Sequence, residues 1–329
     1  MLFESTGLDE TDLAIVRELQ SDGRRSVVDM AEALGVHRNT ASAKLKRLLD
    51  ERVITPAIYT HPPALGYHTT AIIGISVSPG KMDAVADHMM SLTNVHYVFV
   101  CLGRYDVIIW GLFRDQDELY AFITRELGTI PGVVGTEAMV SLGMRKVSFA
   151  LLNPSQRPGG NNAQGKKTTS GLETIQQPVA DLDELDLAVI RELQHDARQS
   201  VVALAKALGS HRNIIAAKLK RLLDQGTVRA VAAPDPMALG YRVMVAMGIS
   251  VLPGAIDAAL DRLKSAANIH SVTICTGRYD IMLWGFFSDH EELYDFIRRE
   301  LGKTTGIRNA EAMVILRVKK MSFAYLTPA

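Results

Sequence analysis

Two short stretches gather side chains suited to reading nucleic acid. Arg38, Asn39, Thr40, Ser42, Lys44, Lys46 and Arg47 crowd one segment, and Arg212, Asn213, Lys218, Lys220 and Arg221 crowd another. Arg and Asn can bond base edges in bidentate fashion, and Lys neutralises phosphates. A second pair of candidates is Cys101 and Cys275, each five residues after His96 or His270. On a regular strand an odd spacing puts Cys and His on opposite faces, so they can neither share a metal nor act as nucleophile and base. The thiols read as buried and inert. The histidines follow Asn94 and Asn268 at strand starts, where a structural hydrogen bond is the expectation. No Cys-x-x-Cys, His-Glu-x-x-His, Walker lysine loop or Gly-x-Ser-x-Gly occurs, so no catalytic residue, metal or cofactor is expected.

The basic segments need a helix to present them. Leu13, Val16 and Leu19 make one helical stripe, and Val27, Met30, Ala31 and Leu34 make a second that starts after Ser26 and stops at Gly35. A third helix turns Ala41, Leu45 and Leu48 inward and its basic and amide residues outward. Ile215, Leu219 and Leu222 repeat the inner stripe. Helix, tight turn and outward-basic third helix is the helix-turn-helix layout, whose last helix enters the major groove of double-stranded DNA.

The chain is written twice. Leu8-Asp9-Glu10-Thr11-Asp12-Leu13-Ala14 is echoed by Leu182-Asp183-Glu184-Leu185-Asp186-Leu187-Ala188, and the match runs without a gap to Ser148-Phe149-Ala150 and Ser322-Phe323-Ala324. Roughly half of the aligned positions are identical, over a period too long for a solenoid. Residues 153–180, rich in Gly, Asn, Gln, Lys and Thr, read as a flexible linker. The remaining units are 1–60 and 181–234, the helical domains, and 61–152 and 235–329, the modules that follow them. The 329 residues carry 36 basic and 36 acidic side chains. A balanced chain does not coat nucleic acid through a general positive field, although a local basic helix still can bind it. Neither a leader pattern nor a long apolar run appears, so a cytoplasmic protein without a membrane partner is expected.

Each module alternates strands and helices. Ala71–Val77, Val95–Leu102, Asp106–Phe113 and Thr136–Leu142 read as strands, and Met82–Leu92 and Asp117–Gly128 as helices. The order β-α-β-β-α-β predicts an α+β, ferredoxin-like sheet with both helices on one face. Yet Val107-Ile108-Ile109-Trp110 and Ile281-Met282-Leu283-Trp284 are apolar on both parities, so the second face must also be covered. The other copy of the module is the simplest cover, giving an intrachain pseudo-dimer.

The Leu-Asp-x-x-Asp start, the three-helix unit, the β-α-β-β-α-β module and the Gly103-Arg104-Tyr105-Asp106 hairpin together resemble the leucine-responsive/asparagine-regulator (Lrp/AsnC) family of transcription factors. The resemblance implies a winged helix-turn-helix joined to a ligand-binding module, twice over. It further implies assembly into a homo-oligomer, here a dimer or tetramer of chains, and a small-molecule effector, usually an amino acid, bound near the hairpin. Carried over, the effector positions are Gly103, Tyr105 and Asp106, with Gly277, Tyr279 and Asp280. The chemistry suits the part: a hairpin glycine leaves backbone N–H groups open to a carboxylate, and an aspartate can accept from an ammonium group. The same aspartates could equally close the turn with backbone bonds.

Some residues depart from the family pattern. His37 and His211 stand where the recognition helix usually starts at Ser, which weakens the expected cap, and Ile214 and Ala216 replace Thr40 and Ser42 in the second copy. Two other readings compete. Siroheme decarboxylases resemble this family in architecture but act in haem synthesis. Their His-Asn-Tyr stretch and Tyr-Asn hairpin exit read here as His96-Tyr97-Val98-Phe99 and Tyr105-Asp106. A ligand sensor with degenerate helix-turn-helix units is the third.

Overall fold

The computed structural model describes residues 7–152 and 181–326, together with the backbone of 171–173. Most of the expected linker lies outside the described residues, but β6 (Gly171–Glu173) is a strand paired with Lys146–Ser148.

Each copy opens with three helices: α1 (Glu10–Ser21), α2 (Val27–Leu34) and α3 (Arg38–Asp50), repeated as α6 (Glu184–His195), α7 (Val201–Ala207) and α8 (Arg212–Asp224). Asp9 and Asp12 form a reciprocal capping box on α1, and Ser26 caps α2, which ends at Gly35 in the left-handed region. His37 also caps: its Nδ1 accepts the Asn39 amide at 3.2 Å, and His211 does the same for Asn213 at 3.3 Å. The expected weakness at this position is therefore corrected. Nδ1 of a neutral imidazole sits as far along the side chain as an Asn oxygen, and it accepts equally well.

The strand after each helical unit leaves home. β1 (Ile54–Thr60) pairs antiparallel with β7 (Val228–Pro234) of the other copy, from Ile54 opposite Pro234 to Thr60 opposite Val228. The β-ribbon beside each helical unit is therefore shared between the two copies rather than folded within one. Ile58 packs with Val189, Ile190 and Leu219 of the second unit, while Ala232 packs with Leu13, Val16 and Leu48 of the first. Arg24 donates to the carbonyls of Ala197 and Gln199, and Arg198 to those of Gly23 and Arg25, so each unit clasps the other's first turn.

In the first module β2 (Thr69–Val77), β3 (Val95–Leu102), β4 (Val107–Phe113) and β5 (Val133–Ser148) carry α4 (Met82–Ser91) and α5 (Gln116–Ala121). The second has β8 (Val243–Val251), β9 (Ile269–Thr276), β10 (Ile281–Phe287) and β11 (Ile307–Met321) with α9 (Ile256–Ser265) and α10 (His290–Asp295). The expected last strand, Thr136–Leu142, is a correction in length: β5 and β11 each run on past their own sheet. β5 pairs with β2 and then β9, and β11 pairs with β8 and then β3. The ring β2-β4-β3-β11-β8-β10-β9-β5 closes back on β2 through these two strands.

Two kinds of core result. Ala71, Ile73 and Ile75 face Val85 and Met89 under the helices, and Val245, Met247 and Ile249 do the same in the second module. The opposite parity, Ile72, Ile108 and Trp110, meets Ala246 and Met282 of the other copy inside the closed ring. Doubly apolar strands thus bury both faces, the inner one against the duplicate module, at about 1.5–3 kcal/mol for each large side chain withdrawn from water.

Candidate nucleic-acid interface and effector hairpin

The third helices divide their cations by job. Arg38, Asn39, Thr40, Ser42 and Lys46 are exposed on α3, as are Arg212, Asn213 and Lys220 on α8. Lys220 pairs with Asp224 one turn on. Lys44 and Arg47 face inward to a carboxylate cluster at the start of α1. Lys44 Nζ lies 2.5 Å from Asp9 and 3.1 Å from Asp12, and Arg47 lies 2.5 Å from Asp12, which is fully buried. Lys218 repeats the contacts to Asp183 and Asp186, and Arg221 pairs with Asp186. The Lys44 ammonium holds the Asp9 carboxyl down at about 2, and Lys218 does so for Asp183. Lys44 and Arg47 thus tie α3 to the start of α1, Lys218 and Arg221 tie α8 to the start of α6, and the outer set is left facing solvent. The partners stand 35 residues apart, which is why the basic run alone did not disclose the division.

Each hairpin is tied to the opposite module. Gly103 has φ +136°, and a Cβ there would lie 3.0 Å from the Ala312 carbonyl on β11; a Cβ on Gly277 (φ +112°) would lie 2.9 Å from that of Ala138 on β5. Only glycine combines that backbone with so close an approach. Tyr105 is buried with its ring against Gly74 and its hydroxyl donating to Glu137 at 2.7 Å; Tyr279 lies against Gly248 and donates to Glu311 at 2.8 Å. The Asp106 carboxylate accepts the Val77 amide at 2.7 Å, and that of Asp280 accepts the Val251 amide at the same distance. Both aspartates therefore close the hairpin onto the neighbouring strand.

The sequence reading missed the charges beside them. Arg104 pairs with Glu137 at 2.5 Å and Arg278 with Glu311 at 2.9 Å, with cross-pairs of 3.9 Å and 3.8 Å between copies. Each guanidinium also lies over the adjacent Tyr ring, 5.6 Å from its centroid. Arg104 lowers the Glu137 carboxyl below its ordinary value. The Gly-x-Tyr-Asp pattern had marked the place, and its variable position supplies the exposed charge.

The two histidines overturn both expectations made for them. The β3–β4 register slips between Val95 and Tyr97, and the β9–β10 register slips between Trp284 and Gly285, opposite Ser271 and Ile269. Each bulge turns its histidine toward the inner core, the side that also holds Cys101 and Cys275. His96 packs against Trp110 and Tyr325, with centroids 6.1 Å and 5.0 Å away. The ring nitrogens of His96 and His270 have no hydrogen-bond partner among the described residues. Cys101 Sγ instead contacts the Phe99 carbonyl and Cys275 Sγ that of Tyr279, and burial pushes both thiols up to about 12. Among the described residues, no three His, Cys, Asp or Glu side chains gather to hold a metal ion.

The AsnC-type helix-turn-helix model matches residues 8–49 and 182–223, and the Lrp/AsnC ligand-binding-domain model matches 70–151 and 244–325. The chain belongs to the Lrp/AsnC family. Family members with these two domains are DNA-binding transcriptional regulators that sense a ligand, and this chain is one of them, carrying the whole unit in tandem. An uncharacterized HTH-type transcriptional regulator of Pyrococcus furiosus is 32% identical over 144 residues, 44% of this chain and 97% of that protein. An HTH-type transcriptional regulator of Pyrococcus abyssi is 32% identical over 145 residues, again 44% of this chain and 95% of its own length. Among solved structures, a siroheme decarboxylase has a TM-score of 0.61 at 15% identity, covering 95% of this chain and 93% of its own. That likeness is one of fold. No helix among the described residues is long and apolar enough to cross a membrane.

Proposed function

We propose that this Lrp/AsnC protein acts in the cytoplasm as a regulator, not an enzyme, with α3 and α8 reading paired half-sites on one face of double-stranded DNA. The observation that carries the reading is the outward set Arg38, Asn39, Lys46 and Arg212, Asn213, Lys220, exposed on both third helices and braced from behind by the same Asp–Lys–Arg cluster. Half-sites about one helical turn apart, or a multiple, follow from two such helices. Ile214 and Ala216 give α8 fewer polar groups than Thr40 and Ser42 give α3, so the two half-sites differ. An amino acid is the proposed effector, acting at the hairpins of Gly103, Tyr105 and Asp106 and of Gly277, Tyr279 and Asp280. Arg104 and Arg278 would meet its carboxylate, and Glu137 and Glu311 its ammonium group. Further assembly, to two or four chains, would bring those exposed hairpins together.

Fluorescence anisotropy on the protein's own upstream DNA and on a scrambled control, at two salt concentrations and with or without pooled amino acids, tests this. Tighter binding to the upstream fragment that shifts with the pool is expected; equal binding to both DNAs at both salts would overturn it. Thiols pushed up to about 12 by burial support the non-enzymatic reading. A tetrapyrrole absorbance band on the purified protein would count against it.

A further inference from the structure

A cavity of about 510 Å³ opens between the inner core and the shared β1–β7 ribbon, at the end of the ring away from the Arg104 hairpin. The two copies line it unequally. In the first, Tyr97 stacks on Trp110 with centroids 4.9 Å apart and planes 20° from parallel, and Phe99 together with Tyr325 of the second copy fills the space around them. The equivalents of Tyr97 and Phe99 in the second copy are Ser271 and Thr273, and the equivalent of Tyr325 is Leu151. Trp284, the counterpart of Trp110, stacks on no aromatic ring among the described residues, and its indole nitrogen is buried without an acceptor. His270 lines the same cavity, with both ring nitrogens unpartnered; the backbone of Ser148 lies close by without meeting hydrogen-bond geometry. Buried polar groups are nearly always satisfied, so a donor on Trp284 and a donor–acceptor pair on His270 mark a place for something else.

We propose that this cavity is a second ligand site, one per chain and separate from the hairpins, for a flat uncharged aromatic or heteroaromatic molecule that stacks on Trp284 as Tyr97 stacks on Trp110. The volume falls in the range of small-molecule pockets. An uncharged occupant suits the walls, whose two charged residues, Arg52 and Asp235, are of opposite sign and exposed to solvent. Burial keeps His270 neutral, at about 3, and the nearby Lys146 ammonium is already given to the carbonyls of Lys264 and Ala266. The ligand's acceptor would take the indole N–H, and a donor or acceptor would meet the imidazole.

The uncharged dye N-phenyl-1-naphthylamine probes the site in the full chain, read by energy transfer from tryptophan. One equivalent per chain is expected to bind. The double variant Ser271→Tyr, Thr273→Phe gives the second copy the side chains of the first and is expected to weaken the dye by at least about tenfold, leaving DNA binding unchanged. Trp110→Phe, which leaves Trp284 as the only energy donor, is expected to keep the transfer. Absence of dye binding, equal binding by the double variant, or transfer lost in Trp110→Phe but kept in Trp284→Phe would each overturn the proposal.

Discussion

The two copies agree at their ends and disagree in their middle. Helix clamps and hairpins repeat almost atom for atom: Lys44 and Lys218 each sit 2.5 Å and 3.1 Å from their two aspartates, and the two tyrosine–glutamate bonds differ by 0.1 Å. The inner faces of β3 and β9 do not repeat, since Tyr97 and Phe99 became Ser271 and Thr273. In a symmetric homodimer one substitution changes both halves of the interior at once. A tandem chain can keep one half filled and open the other. Parts that hold each copy together are thus duplicated, and parts that face the shared interior have specialised.

The sharpest test of the duplicated part is the buried carboxylate. Asp12→Ala removes the partner of Lys44 and Arg47 together with half of the capping box, and about 3–4 kcal/mol of stability should go with it. Urea unfolding should show Asp186→Ala to be equally costly; a twofold difference in loss would break the equivalence. Next comes pH. Burial holds His96 at about 4 and His270 at about 3, each below its ordinary 6.5. Both are therefore neutral in the folded protein and gain a proton more readily when unfolded. Stability from this source is complete above pH 6.5 and is lost as pH falls toward those values. Between pH 7 and 5 it should drop by about 2 kcal/mol per histidine, seen as a falling melting temperature that His96→Phe flattens by half.

A smaller effect comes from the tyrosine seats. A Cβ on Gly74 would stand 2.5 Å from the Tyr105 ring, and one on Gly248 would stand 2.4 Å from Tyr279. Gly74→Ala should cost about 1–2 kcal/mol and displace the hairpin that Tyr105 anchors, with Gly248→Ala matching it in thermal melts. Smallest is Lys46→Ala, which should lower the salt slope of DNA binding by about one, whatever the sequence. A matching change from Lys220→Ala, whose ammonium already serves Asp224, would erase the distinction drawn between the two recognition helices.

Periodicity made the helices, the repeat and the exposed face of α3 readable, because each depends on neighbours a few residues away. The need to cover a second sheet face was equally plain from Val107–Trp110. What stayed hidden depends on distant partners. Nothing local to Lys44 says that Asp9 and Asp12 wait 35 and 32 residues before it. Alternation along β3 sends His96 to the helix side, and only the slip against β4 turns it inward. Likewise β5 reads as a seven-residue strand because its second half finds its partner, β9, in the other copy. The hairpin was located by its Gly, Tyr and Asp, while the charged groups came from Arg104 and from Glu137 on a different strand.

The ribbon of β1 with β7 and the arginine clasp beside it set how the protein responds to its own abundance. Two recognition helices held by one polypeptide have a local concentration fixed by geometry, so their pairing does not weaken on dilution. A titration of DNA should lack the lag that a monomer–dimer equilibrium would impose, and the two helical units of one chain cannot be exchanged for those of a related regulator. At any effector level, the number of paired helices then follows the number of chains directly, and mixed pairing of these two units with a paralogue's is closed off by covalent linkage.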